Sequence, residues 1–344
     1  MDPDRPLIAS PPIAGLRFRR FAGETDFPVL LEVRNSSKRA DGLDDDLHTL
    51  ERFVHTYRRT PGYEPERDLL IAEVGGEVVA YSRLLADREL DGTCVYWHDG
   101  FVLPGWRGRG LGGALIGWAE AHAASLAAAA GETGPVVAST ETRETQTGLI
   151  GLLKGLGYHP VRYWFPMETA DLDHIPHAPL PPGLELRPAQ PEHYRAIWEA
   201  MLEAVRDHWG FSESEEQDFD GWLAHPFRQP ALWVVAWDGD QVAGSILNYV
   251  DLDYNASTGR RVGYTENITV RRPWRRRGLA RAMLAHSMAM HKARGMTQTH
   301  LGVDTDNPSG ALTLYQSMGY RATGQETTYR KRLGPQILEP GRAG

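Results

Sequence analysis

VRRPWRRRGLA at residues 270–280 has a counterpart 168 residues earlier, VLPGWRGRGLG at 102–112. Trp106 matches Trp274, Arg107 matches Arg275, Arg109 matches Arg277 and Gly110 matches Gly278, all at one offset. A repeat of this kind implies a duplicated domain. In both copies a run with strand character, VYWHDGFV at 95–102 or GYTENITV at 263–270, feeds an Arg/Gly turn that opens an Ala-rich helix. Backbone N–H groups at such a helix start converge on one concavity and suit an anion, phosphate above all.

The bulk properties agree with two domains and narrow their partners. The chain has 344 residues and is 41 % hydrophobic, enough for two cores of about 150 residues each. A net charge of −8 argues against nucleic acid as the main partner, because such binders concentrate basic charge over a whole face. The single cysteine, Cys94, excludes an intrachain disulfide and a cysteine-built zinc site, which fits a reducing cytoplasm. No apolar run of about 18 residues and no charged-then-apolar leader is present, so no membrane association is expected. Quaternary state stays open.

Residues 1–14 read as a Pro-rich flexible arm, 15–170 as the first domain, 171–183 as a Pro-rich linker, 184–334 as the second domain and 335–344 as a tail. Both domains repeat one order of elements. An alternating strand (LRFRRF at 16–21, LELRPA at 184–189) precedes helical segments, then a hairpin turning at Gly75-Gly76 or Asp238-Gly239. After the Arg/Gly turn come a long helix (111–130, 279–294), a strand (136–140, 300–305), a short helix and a Gly-Tyr pair at 157–158 or 319–320. A final strand within YRATGQETTYRKRL is expected to close the second copy. The fold class is α/β (α+β), with a mixed central sheet flanked by helices in each domain.

These residues and their order resemble a tandem GNAT (GCN5-related) N-acetyltransferase over both halves. The family signature, Arg/Gln-x-x-Gly-x-Gly/Ala between a strand and a helix, stands here as Arg107-Gly108-Arg109-Gly110-Leu111-Gly112 and Arg275-Arg276-Arg277-Gly278-Leu279-Ala280. An Asn-Pro-containing helix ending in Gly-Tyr, at 307–320, completes it in the second copy only. The resemblance implies acetyl-CoA as co-substrate, held without a metal, with the pyrophosphate on the loop amides and arginines. It also implies backbone contacts to the pantetheine arm from the strand before the loop, where Asn267, Ile268 and Val270, and Val102 in the first copy, stand. The organisation is similar to that of the mycothiol synthases, whose catalytic centre lies in the C-terminal copy, but no acceptor-binding residue carries over. By itself the basic run 271–277 also reads as a solvated face or a nucleic-acid patch.

The copies diverge where chemistry would be done. Aligning the Gly-Tyr pairs puts Leu153 opposite Tyr315, and the resemblance gives a tyrosine there the task of donating a proton to the departing CoA thiolate. A phenol can hydrogen-bond developing negative charge on sulfur; leucine cannot. A core aromatic is the plainer reading of Tyr315. Asn307 reads as a helix N-cap with Pro308 at the first helical position, and as a possible CoA contact. An alkylammonium must lose a proton before attack, and Glu266, flanked by apolar positions on its strand face, is the leading base. An Arg-paired carboxylate is the plainer reading there. The offset places His98 opposite Glu266 in the first copy, and Asp304, Glu326 and Asp251 are reserve bases. The stretch 206–229 is dense in acids and aromatics; Trp209 and Trp222, with Asp207, Glu213, Glu215 and Glu216, are expected to receive a cationic small-molecule amine, or else to be a solvated helix face. The expected activity is acetyl transfer to such an amine by direct attack, with the C-terminal copy catalytic. The alternatives are a protein or peptide acetyltransferase and a catalytically silent CoA-binding regulator.

Overall fold

A computed structural model describes residues 11–60, 62–212, 219–307 and 309–334. The outer arm 1–10, Pro308, the tail 335–344 and the acids Glu213, Glu215 and Glu216 lie outside the described residues. The first half runs β1 (Leu16–Arg20), α1 (Phe27–Ala40), α2 (Leu50–Arg59), α3 (Pro65–Asp68), β2 (Leu69–Val74), β3 (Glu77–Arg88), β4 (Cys94–Val102), α4 (Leu111–Ala129), β5 (Val136–Arg143), α5 (Thr147–Gly155) and β6 (His159–Thr169). The second half begins β7 (Glu185–Arg187), α6 (Tyr194–Val205), α7 (Phe219–Leu223), β8 (Val234–Asp238), β9 (Gln241–Tyr249) and α8 (Leu252–Thr258). It ends β10 (Val262–Val270), α9 (Leu279–Ala293), β11 (Gln298–Asp304), α10 (Ala311–Ser317), β12 (Arg321–Ala322) and β13 (Glu326–Leu333).

The strands form one continuous mixed sheet in the order β1-β2-β3-β4-β5-β13-β6-β11-β10-β9-β8-β7, with β12 against β6. The final strand therefore does not close the second copy, as the sequence order suggested. β13 runs antiparallel to β5 along its whole length, from Glu326 opposite Arg143 to Leu333 opposite Val136. β6, from the first half, pairs antiparallel with β11 instead. The halves have exchanged their last strands, and β13 and β6 also pair with each other at the seam. The cores follow the exchange: Tyr329 of β13 packs with Leu153 and Tyr158 of the first half, and Met167 of β6 packs with Leu301 and Tyr320 of the second.

Helices cover both faces of each half-sheet. α4 covers one face of the first half around Tyr96, Leu115 and Trp118, and α1 with α2 covers the other around Phe27, Phe53 and Tyr81. In the second half α9 and α10 bury Met283, Leu284 and Tyr315 on one face, while α6 and α7 lie over Val235 and Leu247 on the other. Parallel pairing of β4 with β5 ends at Trp97, and that of β10 with β11 ends at Tyr264. Beyond those points the paired strands diverge, and each divergence opens beside an Arg/Gly loop.

Candidate active site

The two loops share one backbone shape. Gly108 and Gly110 have φ of 72° and 88°; Arg276 and Gly278 have 63° and 84°. Arg276 adopts a left-handed conformation that costs a residue with a Cβ about 1–2 kcal/mol, which the turn geometry imposes where the first copy uses glycine. Neither Gly110 nor Gly278 caps its helix with a side chain, and neither helix has an acid in its first turn. The first-turn amides thus keep their donors and the positive end of the helix dipole is not neutralised locally, as an anion site requires. The first arginine of each signature has a different job. Arg275 donates to the Val270 carbonyl at 2.9 Å, to Asp207 at 2.9 Å and to the Ala204 carbonyl at 3.0 Å. Arg107 makes the matching set, to the Val102 carbonyl, to Asp41 at 2.6 Å and to Ser37. Both side chains clamp the loop to the end of a helix, so the cationic side chains facing outward are Arg276, Arg277 and, resting 4.6 Å from the Trp106 ring, Arg109.

The loops differ in access. A Cβ built on Gly110 would meet Pro11 of the N-terminal arm at 3.2 Å, and one on Gly112 would meet Leu152 at 3.1 Å. A Cβ built on Gly278 would meet no atom of the described residues within 4 Å.

The strands leading to the loops differ more. β4 pairs with β3 without interruption from Cys94 to Val102. β10 carries a bulge: Glu266 lies opposite Leu247 and Thr269 opposite Ser245, so Asn267 and Ile268 together face one residue. Asn267 takes the bend at φ 47°, a conformation asparagine tolerates better than most residues. Gly244 admits the kinked strand, since a Cβ there would sit 2.6 Å from the Thr269 carbonyl. One extra residue inverts the facing of everything before it. In β4, Cys94 and Tyr96 face α4. In β10 the residues that face α9 are instead Gly263, against His291, and Thr265, near the Tyr320 hydroxyl.

Glu266 therefore corresponds in space to Asp99 rather than to His98, which corrects the match expected from the motif offset. Arg83 lies opposite Asp99 just as Leu247 lies opposite Glu266. Asp99 is bound by Arg83 at 2.6 and 2.8 Å; burial raises its pKa, but Arg83 outweighs burial and holds it below the ordinary carboxylate value. His98 is 3 % exposed, bonded to the Tyr158 hydroxyl at 2.9 Å, and kept neutral by burial, which pushes its pKa down to about 4.

Glu266 has no such guanidinium in contact among the described residues. It is exposed on its strand face, and the protein around it raises its pKa, opposed by Arg228, Arg52 and a 3.4 Å hydrogen bond from the Tyr249 hydroxyl. Tyr249 is fixed in a column of rings, 4.5 Å from Phe227 and 4.7 Å from Tyr264, with the Arg52 guanidinium 4.7 Å over Phe227. The column ties α2 of the first half to β9 and β10 of the second. Tyr315 is 6 % exposed, and burial lifts its phenol pKa above the usual 10. Its ring shares one apolar cluster with Ile268, Val270, Trp274 and Leu279, so strand, loop and α10 meet there. Leu153 fills the corresponding place in the first copy, fully buried.

Other expected site residues have structural partners. Asn307 does not cap α10, which begins at Ala311 after Gly310; its side chain accepts from Ser309 N at 2.9 Å in the preceding turn. The register of the turn sets this, because Gly310 at φ 77° supplies the bend from which the helix starts. Asp304 is held by Arg162 at 2.6 and 2.8 Å, Glu326 by Arg143, and Asp251 caps α8. Asp207 is engaged by Arg272 and Arg275, which lower its pKa to about 2. Trp209 lies at the seam between the Arg162 and Arg330 guanidiniums, whereas Trp222 lines the cleft.

A cleft of about 460 Å3 opens beside Asn267. α6 supplies Trp198 and Met201, the segment after α7 supplies His225 and Arg228, and α2 of the first half supplies His55 and Arg59. The α2 wall escaped the sequence reading; its one signal is the polar pair His55 and Arg59, which core packing of an amphipathic helix does not need.

Known proteins share this arrangement. The Acetyltransferase (GNAT) family matches the chain twice, over residues 30–158 and 195–320. The chain belongs to the GNAT acetyltransferase family. It is an acyltransferase built of tandem GNAT regions, in a family that uses acetyl-CoA. It is 27 % identical to the mycothiol acetyltransferase of Thermobispora bispora, covering 89 % of this chain and 96 % of that protein, and 26 % identical to that of Geodermatophilus obscurus, covering 77 % and 82 %. Among solved structures it is similar to a GCN5-related N-acetyltransferase from Sphaerobacter thermophilus, at 26 % identity and a TM-score of 0.70 over 94 % of this chain and 98 % of that one. A tandem GNAT protein from the clavulanic acid biosynthesis pathway shares the fold, at 16 % identity and a TM-score of 0.63 over 93 % and 99 %. Among the described residues no cluster of His, Cys, Asp and Glu is arranged to hold a metal, and no helix is long and apolar enough to cross a membrane.

Proposed function

We propose that the chain transfers an acetyl group from acetyl-CoA to the amine of a small molecule, and that the C-terminal copy does so. The observation that carries this reading is the bulge in β10. There Asn267 lines the cleft and Glu266 stands exposed beside the α9 loop, opposite Leu247, while on the unbulged β4 the matching Asp99 is locked to Arg83.

The CoA pyrophosphate docks on the first-turn amides of α9 with Arg276 and Arg277 outside it. The backbone at Ile268 and Val270 lines the pantetheine arm, and a β10 N–H polarises the thioester carbonyl. Glu266, its pKa raised by enclosure, takes the proton from the incoming ammonium, directly or through water. The free amine attacks the thioester carbon, the C–S bond breaks, and the second nitrogen proton reaches the sulfur by way of the Tyr315 hydroxyl, which stays protonated at neutral pH. No acyl-enzyme is needed; Cys94 is buried in the other half. A cleft of about 460 Å3 suits a compact acceptor better than a peptide groove, and the mycothiol acetyltransferase relatives support a small-molecule acceptor.

Thiol release from acetyl-CoA, followed over a panel of small amines, tests the reading. Glu266→Gln is expected to lower kcat/KM roughly 100-fold and to remove the rise of rate with pH that follows ionisation of this carboxylate. Tyr315→Phe should lower kcat about 10- to 100-fold with CoA affinity kept. Wild-type turnover in both variants, with an unchanged pH profile, would refute the assignment of the C-terminal copy.

A further inference from the structure

The described wall of the cleft is basic, while Glu213, Glu215 and Glu216, expected at the acceptor site, lie outside the described residues. Asp207 is bound to the CoA loop and Trp209 to the seam, so neither lines it. Three guanidiniums stand around Glu266 and the cleft: Arg52 and Arg59 from α2, and Arg228.

Arg228 is the best placed of them. Its Nε donates to the Trp222 carbonyl at 3.0 Å and its plane lies 4.9 Å from the Trp222 ring, so its orientation is fixed. No ion pair within 4.0 Å joins it to a carboxylate among the described residues, and burial lowers its pKa. Its two terminal nitrogens keep their four N–H groups for something else, in the planar fork that fits an oxyanion. Next to it Trp222 Nε1 is buried without an acceptor. A second observation reports the local field. His225, on the same wall, is pushed down to about 4, first by burial and then by Arg228, His55 and Arg52. Opposite this polar side, Trp198, Met201 and Leu202 form an apolar wall.

Resting on the acetyltransferase reading above, we infer that the acceptor is an amine whose own skeleton carries a carboxylate or phosphate group, and that Arg228 grips that group while α2 of the N-terminal half, through Arg59, forms the far rim. The apolar part of the acceptor lies on Trp198 and Met201, and its amine is left to face Glu266. The first copy thereby takes part in choosing the acceptor.

Matched acceptors test this, with kcat/KM from thiol release at saturating acetyl-CoA. Leucine is compared with leucinamide, and phosphoethanolamine with ethanolamine; the two pairs separate a carboxylate source from a phosphate source. One acidic member is expected to exceed its neutral partner at least 10-fold. Arg228→Gln should raise KM for that acid roughly 10- to 100-fold, the loss of a charged hydrogen-bonded pair, and leave KM for the neutral partner within a few-fold, with the pH profile moved upward alike for both because Arg228 also lowers the Glu266 pKa. Arg228→Lys, which keeps the charge and loses the fork, should recover part of the difference. Equal or better use of both neutral partners by the wild type overturns the inference while leaving acetyl transfer standing. So does a loss that is equal for acid and neutral amine, because Arg228 would then act only on Glu266. Calorimetric binding of the same pairs to the CoA-loaded full chain decides the matter without turnover: an acid preference that Arg228→Gln erases supports the inference, and its absence overturns it. Absence of thiol release with every amine, by contrast, counts against the acetyltransferase reading.

Discussion

The two copies hold a carboxylate at the same point of the sheet and use it in opposite ways. Asp99 on the straight β4 lies against Arg83 and is a partner in a structural ion pair; Glu266 on the bulged β10 lies opposite Leu247, next to Asn267 of the cleft wall. The residue types differ by one methylene. What separates the copies is one inserted position, the loop cover supplied by Pro11 in the first, and the replacement of leucine by tyrosine on the following helix.

The most severe way to break this contrast is to remove the bulge. Deleting Asn267 should make β10 pair like β4, with Glu266 still opposite Leu247 in the place that Asp99 holds but with the bend beside the loop lost. Acetyl transfer should fall about 10-fold or more as the carboxylate and the strand N–H groups shift, while CoA affinity stays within a few-fold. Full activity in a folded deletion variant, checked by its thermal melt, would show that the bulge does not aim Glu266. A milder contrast comes from the loops. Valine at Gly278, where φ is 84°, strains the turn and should weaken CoA binding about 10-fold by calorimetry; Gly110→Val should leave CoA affinity as it was. Equal weakening by the two would mean that both loops bind.

The smallest effect concerns stability alone. His98 has its pKa pushed down to about 4 in the folded chain from an ordinary 6.5. Between those values the unfolded chain binds the extra proton, so stability rises with pH across this window and drains away as pH falls through it. His98→Gln should flatten that slope in denaturant melts taken between pH 4 and 6.5, and an unaltered slope would assign it to other groups.

The sequence made the element order legible because its signals are local. Gly75-Gly76 and Asp238-Gly239 turn their hairpins, and the Arg/Gly loops open helices at Leu111 and Leu279 as expected. β6 was not legible. Pro160 and Pro166 argue against a strand that has neighbours on both sides. The structure admits them because Pro160 sits at an irregularity in the β13 pairing, and Pro166 in the gap between the segments paired by β13 and by β12. Nor could local pattern reveal which half each last strand would join, since both alternate suitably for either sheet. At the site, Glu266 and Tyr315 could be named from residue type and order, but the match of His98 to Glu266 failed because an offset carried back from the loop crosses the bulge. Asn267 was the available signal: asparagine is uncommon inside a strand and comparatively tolerant of positive φ. Arg228 and the α2 wall were hidden because the contacts that bring them to Glu266 join segments far apart in the chain.

The strand exchange at the seam has a consequence for how such a protein can change over generations. Once β13 completes the first half-sheet and β6 the second, cutting at 171–183 yields two pieces that each lack an inner edge and carry a stray strand belonging to the other. Exposed edges of that kind invite aggregation. A gene that drifted toward shedding either copy would lose the other with it. The duplication, having knotted its ends together, has become irreversible by simple truncation.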